Sequence, residues 1–169
     1  LEGLESYTKM PEYQKEFAGK VYKITRDDAG QRLTHMKLTG GELKLRDEIE
    51  GIGKVNEIRV YSGEKYTLHQ EVKAGDICAV PGFTDTYAGQ GVGKEADFCA
   101  NQLAPVCNYQ ILLPEGTEEA IAWRQLKQLE EEDPNLHLSW QAQTREIFIQ
   151  PMGEVQLEVI KRMVSERYG

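Results

Sequence analysis

Glycine-rich segments are the first places in this sequence where chemistry could occur, because backbone amides in such turns can bind phosphate. A Walker loop requires GxxxxGK followed by Ser or Thr, whose hydroxyl holds magnesium. The segment Gly51–Lys54 is followed by Val55, so this hydroxyl is missing. The denser cluster Gly89–Gly93 has no helical pattern after it. We interpret the first segment as a hairpin turn and the second as a flexible loop, so neither predicts a nucleotide site.

The acidic and nucleophilic side chains do not predict a catalytic site either. The acidic run Glu130–Asp133 lies at the end of a predicted helix, whereas acid–base pairs need two groups held in different environments across a cleft. The cysteines and histidines are scattered, without a CxxC or HxxxH spacing, at Cys78, Cys99, Cys107, His35, His69 and His137. We therefore predict reduced thiols, no metal site and no catalytic residue.

Basic side chains in the first hundred residues alternate with apolar ones, and a sheet would gather several of them on one surface. The candidates for contacting RNA phosphates are Arg32, Lys37, Lys44, Arg59 and Lys65. Tyr22 and Tyr61 lie among these basic residues and could stack or pack. The pattern fits an ordinary charged sheet surface or a face that contacts phosphates without reading base sequence. The net charge of −8 argues against general nucleic-acid affinity and leaves a local basic patch possible.

Residues 15–100 are predicted to form short strands that would position these basic side chains. Glycine turns separate the predicted strands at intervals typical of a small barrel or sandwich. The predicted strands are Phe17–Thr25, Arg32–Leu38, Leu43–Ile49, Lys54–Tyr61, Tyr66–Val72 and Asp76–Val80. We predict a β-barrel domain over residues 15–100, with a domain boundary in Gly89–Lys94 or just after it.

Residues 105–169 have a different pattern. A predicted strand, Val106–Leu113, is followed by a helix that Thr117 would cap and that Asp133-Pro134 would end. Two more strands and a helix opened by Gly153 follow, the strands being Leu136–Gln141 and Glu146–Gln150. The order βαββα predicts a ferredoxin-like domain that lacks its last strand.

Several stretches of the chain resemble elongation factor G, a translational GTPase that binds the ribosome. Residues 17–24, 40–47 and 72–80 resemble its second domain. Residues 129–134 and the segment QPMGEVQLEVI at 150–160 resemble its third domain. Within this family, the segments LHLSW at 136–140 and EIFIQ at 146–150 look similar to the tetracycline-resistance ribosomal protection proteins. The cluster Gly89–Gly93 stands where elongation factor G usually has a Gly-Asp-Thr-Leu-like step, which also favours the ribosomal protection branch.

The resemblance implies a function without catalysis in this chain. It implies a barrel that docks on small-subunit ribosomal RNA, and an α/β unit that touches a small-subunit ribosomal protein and relays the state of the GTPase domain. Residues 1–14 resemble the last helix of that GTPase domain and a linker. GTP and magnesium would be bound only by the GTPase domain, which this chain lacks. We expect a cytoplasmic protein, because an odd number of cysteines without a secretory signal indicates reduced thiols. We also expect no membrane association, because no run approaches about 20 apolar residues.

Two other classes of function remain open from the residues alone. One is a protein-interaction or small-ligand module built on a β-barrel and unrelated to translation. The other is a small ferredoxin-like enzyme, for instance a phosphatase, which would need an anion-binding loop beside a convergent arginine. No arginine lies next to Gly153 in the sequence.

Overall fold

A computed structural model of the chain describes residues 11–98 and 107–169. The chain divides into two compact units, Leu1–Cys99 and Ala100–Gly169. In the described part of the first unit the regular elements are strands, whereas the second unit combines a small sheet with helices. The predicted helical segment in residues 1–10 and the first residue of the predicted strand Val106–Leu113 lie outside the described residues.

The described part of the first unit, residues 11–98, is built from ten short strands. They are β1 Ala18–Arg26, β2 Arg32–Gly40, β3 Glu42–Lys44, β4 Glu48–Ile49, β5 Gly53–Lys54, β6 Arg59–Ser62, β7 Lys65–Leu68, β8 Glu71–Lys73, β9 Ile77–Pro81 and β10 Gly91–Gly93. Six of them form one antiparallel sheet in the order β10-β1-β2-β9-β6-β7. The pairs β3-β8 and β4-β5 form two smaller sheets.

The predicted barrel does not appear as a closed hydrogen-bonded cylinder. Among the described strands, β10 and β7 end the six-stranded sheet and do not pair with each other. The first unit is therefore a mostly antiparallel β structure, and barrel closure stays a prediction. Its core is formed by alternate strand residues, including Val21 on β1, Met36 and Leu38 on β2, and Cys78 and Val80 on β9.

Three of the predicted strands are each divided in two. The predicted strand Leu43–Ile49 becomes β3 and β4, because the chain turns at Arg46, which has a positive φ of 75°, and the Asp47 carboxylate accepts a hydrogen bond from the Lys44 amide at 2.8 Å. The predicted strands Lys54–Tyr61 and Tyr66–Val72 are divided by irregular segments into β5 with β6 and β7 with β8. Apolar alternation did not reveal these interruptions, since side chains on both sides of each one still contribute to the core.

The cluster Gly89–Gly93 is not simply a flexible loop. It contains β10, which pairs with β1 through Ala18, Gly19 and Lys20. Gly91 is required here, because a Cβ at this position would lie 2.3 Å from the Glu95 carbonyl oxygen. The glycines thus allow backbone to pass close to backbone at the edge of the sheet.

The segment that follows Pro11 is joined to the sheet. Gln14 forms a parallel bridge with Gly40, and its carbonyl oxygen accepts a hydrogen bond from the Gly41 amide at 2.9 Å. The described end of the predicted tail therefore contributes to the first unit.

The second unit has the strand and helix order that the sequence predicts. Its elements are β11 Tyr109–Ile111, α1 Glu119–Glu132, a 3₁₀ turn Pro134–Leu136, β12 Ser139–Gln141, β13 Glu146–Ile149 and α2 Glu154–Tyr168. The three strands pair antiparallel in the order β11-β13-β12. β13 is central, and β11 has no partner on its outer side among the described strands.

The predicted helix ends are partly right. Asp133 ends α1 before Pro134, and Gly153 precedes α2, as predicted. Thr117 was predicted as the N-cap of α1, but the N-cap is Glu118, whose side chain makes no capping hydrogen bond. The Thr117 amide instead donates to the Pro114 carbonyl in the preceding turn at 3.1 Å.

The second core lies between the three-stranded sheet and the two helices. Leu126 and Leu129 of α1 pack with Ile147 and Ile149 of β13 and with Ile160 of α2. None of the helices that the structure describes is long and apolar enough to cross a membrane.

Candidate nucleic-acid interface

The structure separates the five predicted RNA-contact residues into different settings. Arg32, Lys37, Arg59 and Lys65 lie on the six-stranded sheet, whereas Lys44 ends β3 in a separate two-stranded sheet. Lys44 is exposed and forms an ion pair with Glu42. The structure therefore does not bring all five basic residues together on one sheet.

Arg32 holds a loop onto the sheet. Its guanidinium donates to the Phe83 carbonyl oxygen and to the Thr86 hydroxyl, both at 2.8 Å. The Thr86 hydroxyl also meets the buried hydroxyl of Thr34 at 2.6 Å. The guanidinium N–H groups that could bind a phosphate already donate to this loop. We therefore assign Arg32 a structural role.

Arg59 is the centre of a polar cluster and is only 7% exposed. Its guanidinium donates to Asp27 at 2.9 Å and to the Gln31 side chain at 3.1 Å, and it also pairs with Glu57. The hydrogen bond from Arg59 lowers the pKa of the Asp27 carboxyl below its usual value. Arg59 therefore neutralises acids on the sheet and is not available to RNA without breaking this cluster.

Lys37 and Lys65 are the predicted residues that remain available. Both are exposed, and neither forms an ion pair with any residue that the structure describes. They lie on different strands, β2 and β7, and the hairpin β6–β7 places Lys65 opposite Ser62. Lys37 and Lys65 are therefore the strongest of the five candidates for contacting phosphate.

A row of rings crosses the six-stranded sheet. We call Tyr22, His35, Tyr61 and Tyr66 the aromatic row. Successive ring centroids are 6.0, 5.8 and 5.3 Å apart, and the rings are tilted by 44–57°. Ala79 of β9 lies in register with His35 and with Arg59, and its short side chain lets the rings of His35 and Tyr61 meet across β9.

Residues far apart in the chain form this row, and the sequence carries only a weak signal for it. The sequence places Tyr22 and Tyr61 among the basic residues, but it does not predict that His35 and Tyr66 are their neighbours. The rings of His35 and Tyr61 come together because β2 pairs with β9 and β9 pairs with β6. Strand pairing between segments distant in sequence could not be derived from the spacing of the tyrosines.

Two rings of the row, those of His35 and Tyr22, are shifted toward their neutral forms. Burial, assisted by the nearby charge of Lys23, lowers the pKa of His35. Burial raises the pKa of the Tyr22 hydroxyl. The His35 ring nitrogen also lies 2.7 Å from the Thr25 hydroxyl, which fixes the orientation of the imidazole. Burial therefore favours the uncharged forms of the His35 and Tyr22 side chains.

Metal-ligating and nucleophilic groups do not form a second site in the described part of the chain. No three His, Cys, Asp or Glu side chains of residues 11–98 and 107–169 converge as a metal site. Cys78 is a buried core residue, and burial raises the pKa of its thiol to about 12. At neutral pH this thiol is protonated and a poor nucleophile.

Comparison with known proteins finds a match for the second unit. Residues 104–169 match the family described as Elongation Factor G, domain III. Over all of this chain, the tetracycline resistance protein TetP of Clostridium perfringens is 28% identical, and the match covers 27% of TetP. Elongation factor G of Gluconobacter oxydans is 33% identical over 90% of this chain and 23% of its own length.

The fold also has a counterpart among solved structures. A crystal structure of a Thermus thermophilus protein superimposes with a TM-score of 0.75 at 25% identity, covering 90% of this chain and 24% of the other. The chain thus spans about a quarter of the length of its elongation factor G and tetracycline-resistance relatives. The resemblance to both groups that the sequence motifs indicated is confirmed.

Proposed function

We propose that this chain is a non-catalytic, ribosome-binding part of a translational GTPase. The similarity to elongation factor G and to a tetracycline resistance protein supports this proposal, since it extends over 90% to 100% of the chain. In this proposal, residues 15–100 form the translation-factor barrel and residues 105–169 form a ferredoxin-like unit without its last strand. The segment 1–14 would continue from the GTPase domain, and the protein would act in the cytoplasm.

The two units would have different roles. The first would dock on ribosomal RNA of the small subunit, and the second would touch a small-subunit ribosomal protein and relay the state of the GTPase domain. GTP and magnesium would be bound by the GTPase domain, outside this chain. The segments LHLSW at 136–140 and EIFIQ at 146–150 favour the ribosomal protection branch.

One structural observation carries the docking proposal. Lys37 and Lys65 are exposed and form no ion pair with any described residue, while the acids Asp27 and Glu57 are paired with Arg59. Free lysines gain most from meeting phosphate, because they release counterions from RNA without first breaking an ion pair. We therefore centre the phosphate contact on Lys37 and Lys65, with Lys44 as a peripheral candidate.

Binding to purified small ribosomal subunits tests this assignment. The double variant Lys37→Glu/Lys65→Glu should co-sediment more weakly than the native chain, and the native affinity should fall steeply as salt is raised. The matched control is Arg124→Glu/Lys127→Glu on α1, which makes the same change in net charge in the other unit. Equal losses in the two double variants would contradict docking through the first unit.

A second experiment tests the absence of catalysis. Calorimetric titration of the chain with GTP and magnesium should give no binding heat, and phosphate release should not exceed the rate without protein. The physical reason is that Gly51–Lys54 lacks the hydroxyl side chain that a phosphate loop places on magnesium. Micromolar, magnesium-dependent GTP binding would overturn this part of the proposal.

A further inference from the structure

The aromatic row is exposed at both ends, although its middle is partly covered. Tyr22 is 47% exposed and Tyr66 is 46% exposed, whereas His35 and Tyr61 are half-buried between them. The two outer tyrosines therefore leave almost half of their surface where a ligand can reach it.

The row is held in place before any ligand arrives. The Thr25 hydroxyl lies 2.7 Å from His35, and the Arg59 guanidinium lies 4.6 Å from the centroid of the Tyr66 ring. Arg59 is itself fixed by Asp27 and Gln31. Rings that are already ordered lose little conformational entropy on binding, which favours stacking of a flat partner.

Positive charge lies beside the rings on the same face. Lys23 is paired in register with His35 across β1 and β2, so the two side chains point to the same side of the sheet. Lys37 lies two residues beyond His35 on β2 and therefore shares this face. Both lysines are exposed, and neither is ion-paired to a residue that the structure describes. Single-stranded nucleic acid is bound by this combination of stacking rings and adjacent cations.

We propose that the aromatic row is a stacking site for an unpaired RNA base, with Lys23 and Lys37 contacting the adjacent phosphates. This proposal rests on the proposed function, because it specifies the kind of RNA element that the first unit would bind. A protein partner fits less well, since lysine is depleted in the centres of protein–protein interfaces. A base-paired helix also fits less well, because its bases are stacked on each other and the rings cannot reach their faces.

The test uses the full chain and a fluorescently labelled single-stranded RNA of ten to twelve nucleotides, with binding followed by anisotropy at low salt. Tyr22→Leu/Tyr66→Leu should weaken binding by about tenfold or more, because stacking contributes roughly 1–3 kcal/mol per base. Tyr22→Phe/Tyr66→Phe should retain binding, because phenylalanine also stacks. The matched control is Tyr109→Leu, which replaces an exposed tyrosine of the second unit and should not change the affinity.

An oligonucleotide of the same length with abasic sites separates stacking from charge. It should bind more weakly than the intact RNA to the native chain, and equally weakly to the native chain and the Tyr→Leu variant. The proposal is overturned if the native chain does not bind the intact RNA, if abasic and intact RNA bind equally, or if Tyr22→Leu/Tyr66→Leu binds as well as native. Circular dichroism of each variant distinguishes lost contacts from lost folding.

The two proposals fail in distinguishable ways. If Lys37→Glu/Lys65→Glu impairs ribosomal-subunit binding while the tyrosine variants leave RNA binding unchanged, the stacking site is wrong and ribosome docking stands. If neither set of variants affects its own assay, both proposals are wrong. If the tyrosine variants alone reduce binding, base stacking on the row is supported, and the phosphate contacts of Lys37 and Lys65, including that of Lys37 beside the row, are wrong.

Discussion

The two units of the chain differ in how completely each encloses its own core. In the first unit Val21, Met36, Leu38 and Val80 are fully buried. In the second unit most of the core residues remain slightly exposed, and a cavity of about 790 Å³ opens between β11, α1 and α2. The first unit surrounds its apolar side chains with ten strands, whereas the second has only three strands and two helices among its described residues.

This difference shows that strand and helix order alone does not close a core. The cavity of the second unit is lined by apolar residues of β11, α1, α2 and the segment after β11, among them Ile111, Leu113, Leu126, Leu157, Ile160 and Val164. Their partly open position fits an α/β unit whose sheet can accept another strand beside β11. Apolar surface left in water lowers the hydrophobic contribution to stability by roughly 25 cal/mol per Å².

A matched pair of leucine truncations gives the largest expected effect. Leu38→Ala in the first unit should cost about 4 kcal/mol of unfolding free energy, because Leu38 is fully buried in a filled core. Leu126→Ala should cost about 2 kcal/mol, because Leu126 already borders the cavity and leaves less new empty volume. Urea denaturation of each variant measures both values.

Separate probes are available for the two units. Both tryptophans, Trp123 and Trp140, lie in the second unit, so their fluorescence reports its unfolding alone. Hydrogen exchange of the amides in β1 and β2 reports the first unit. Equal losses for the two truncations would show that the two cores are equally well packed, and the contrast would then be wrong.

Extending the chain beyond Gly169 should stabilise the second unit. A turn and a strand need roughly 15–20 further residues, and such a strand can pair with the outer side of β11 and cover the cavity. We expect a gain of about 2 kcal/mol, or roughly 10 °C in the melting temperature followed by tryptophan fluorescence. Self-association through the free edge should fall at the same time.

The control for the extension is the first unit, whose hydrogen exchange should not change. A second control is the same extension carrying a proline in the middle of the added strand, where the missing amide prevents pairing. No gain in melting temperature and unchanged self-association in the longer native chain would refute the ferredoxin-like interpretation of residues 105–169.

Removing Arg59 should destabilise the first unit by about 2 kcal/mol, since Arg59→Met leaves Asp27 and Glu57 close together without a cation. The carboxyl pKa of Asp27 is lowered in the fold, so its contribution is present above the unfolded pKa of about 3.9 and is lost as pH falls through the folded value. As the pH is lowered from 5 into the acid range, the free energy of unfolding of Arg59→Met should therefore fall less than that of the native chain. Lys73→Met, at an exposed pair with Glu71, is the control and should change little.

The sequence predicted the local elements well and their pairing poorly. The order of elements in residues 107–169 and the helix stop at Asp133-Pro134 followed from apolar periodicity and from the geometry that proline imposes. The interruption at Arg46, the interruption between β7 and β8, and the strand at Gly91–Gly93 did not. The interruption at Arg46 involves a local hydrogen bond from the Lys44 amide to Asp47, which apolar periodicity does not reveal. The strand at Gly91–Gly93 depends on pairing with β1, which is distant in sequence.

The candidate interface shows the same limit at the level of single residues. The sequence identified a set of basic residues on strands, but it could not distinguish Arg59, whose donors are bonded to Asp27 and Gln31, from Lys37, whose ammonium group is free of described partners. A sequence shows which side chains are charged. Whether a charged side chain already forms an ion pair or hydrogen bonds depends on which strands pair. The register of β2, β9 and β6 therefore decides which residues remain available to a ligand.

The smallest expected effect tests whether polar contacts compensate for the open core of the second unit. Arg167 near the end of α2 donates two hydrogen bonds to Glu132 at the end of α1, at 2.8 and 3.0 Å, and joins the two helices. The Glu132 side chain is only 10% exposed, so this two-bond pair is better shielded than an ordinary surface pair. We expect Arg167→Met to cost about 1 kcal/mol, measured by urea denaturation with tryptophan fluorescence.

The matched control for this change lies on the same helix. Arg162 pairs with Glu166 at 3.8 Å, and both side chains are about 70% exposed, so Arg162→Met should change stability by less than about 0.5 kcal/mol. If both variants lose the same small amount, the pair of Arg167 with Glu132 contributes no more than a surface contact. If Arg167→Met costs more, the polar link at the helix ends partly offsets the apolar surface that the cavity leaves uncovered. In the extended chain, whose added strand would cover that surface, the cost of Arg167→Met should stay the same, because the link lies at the helix ends and not at the edge of β11.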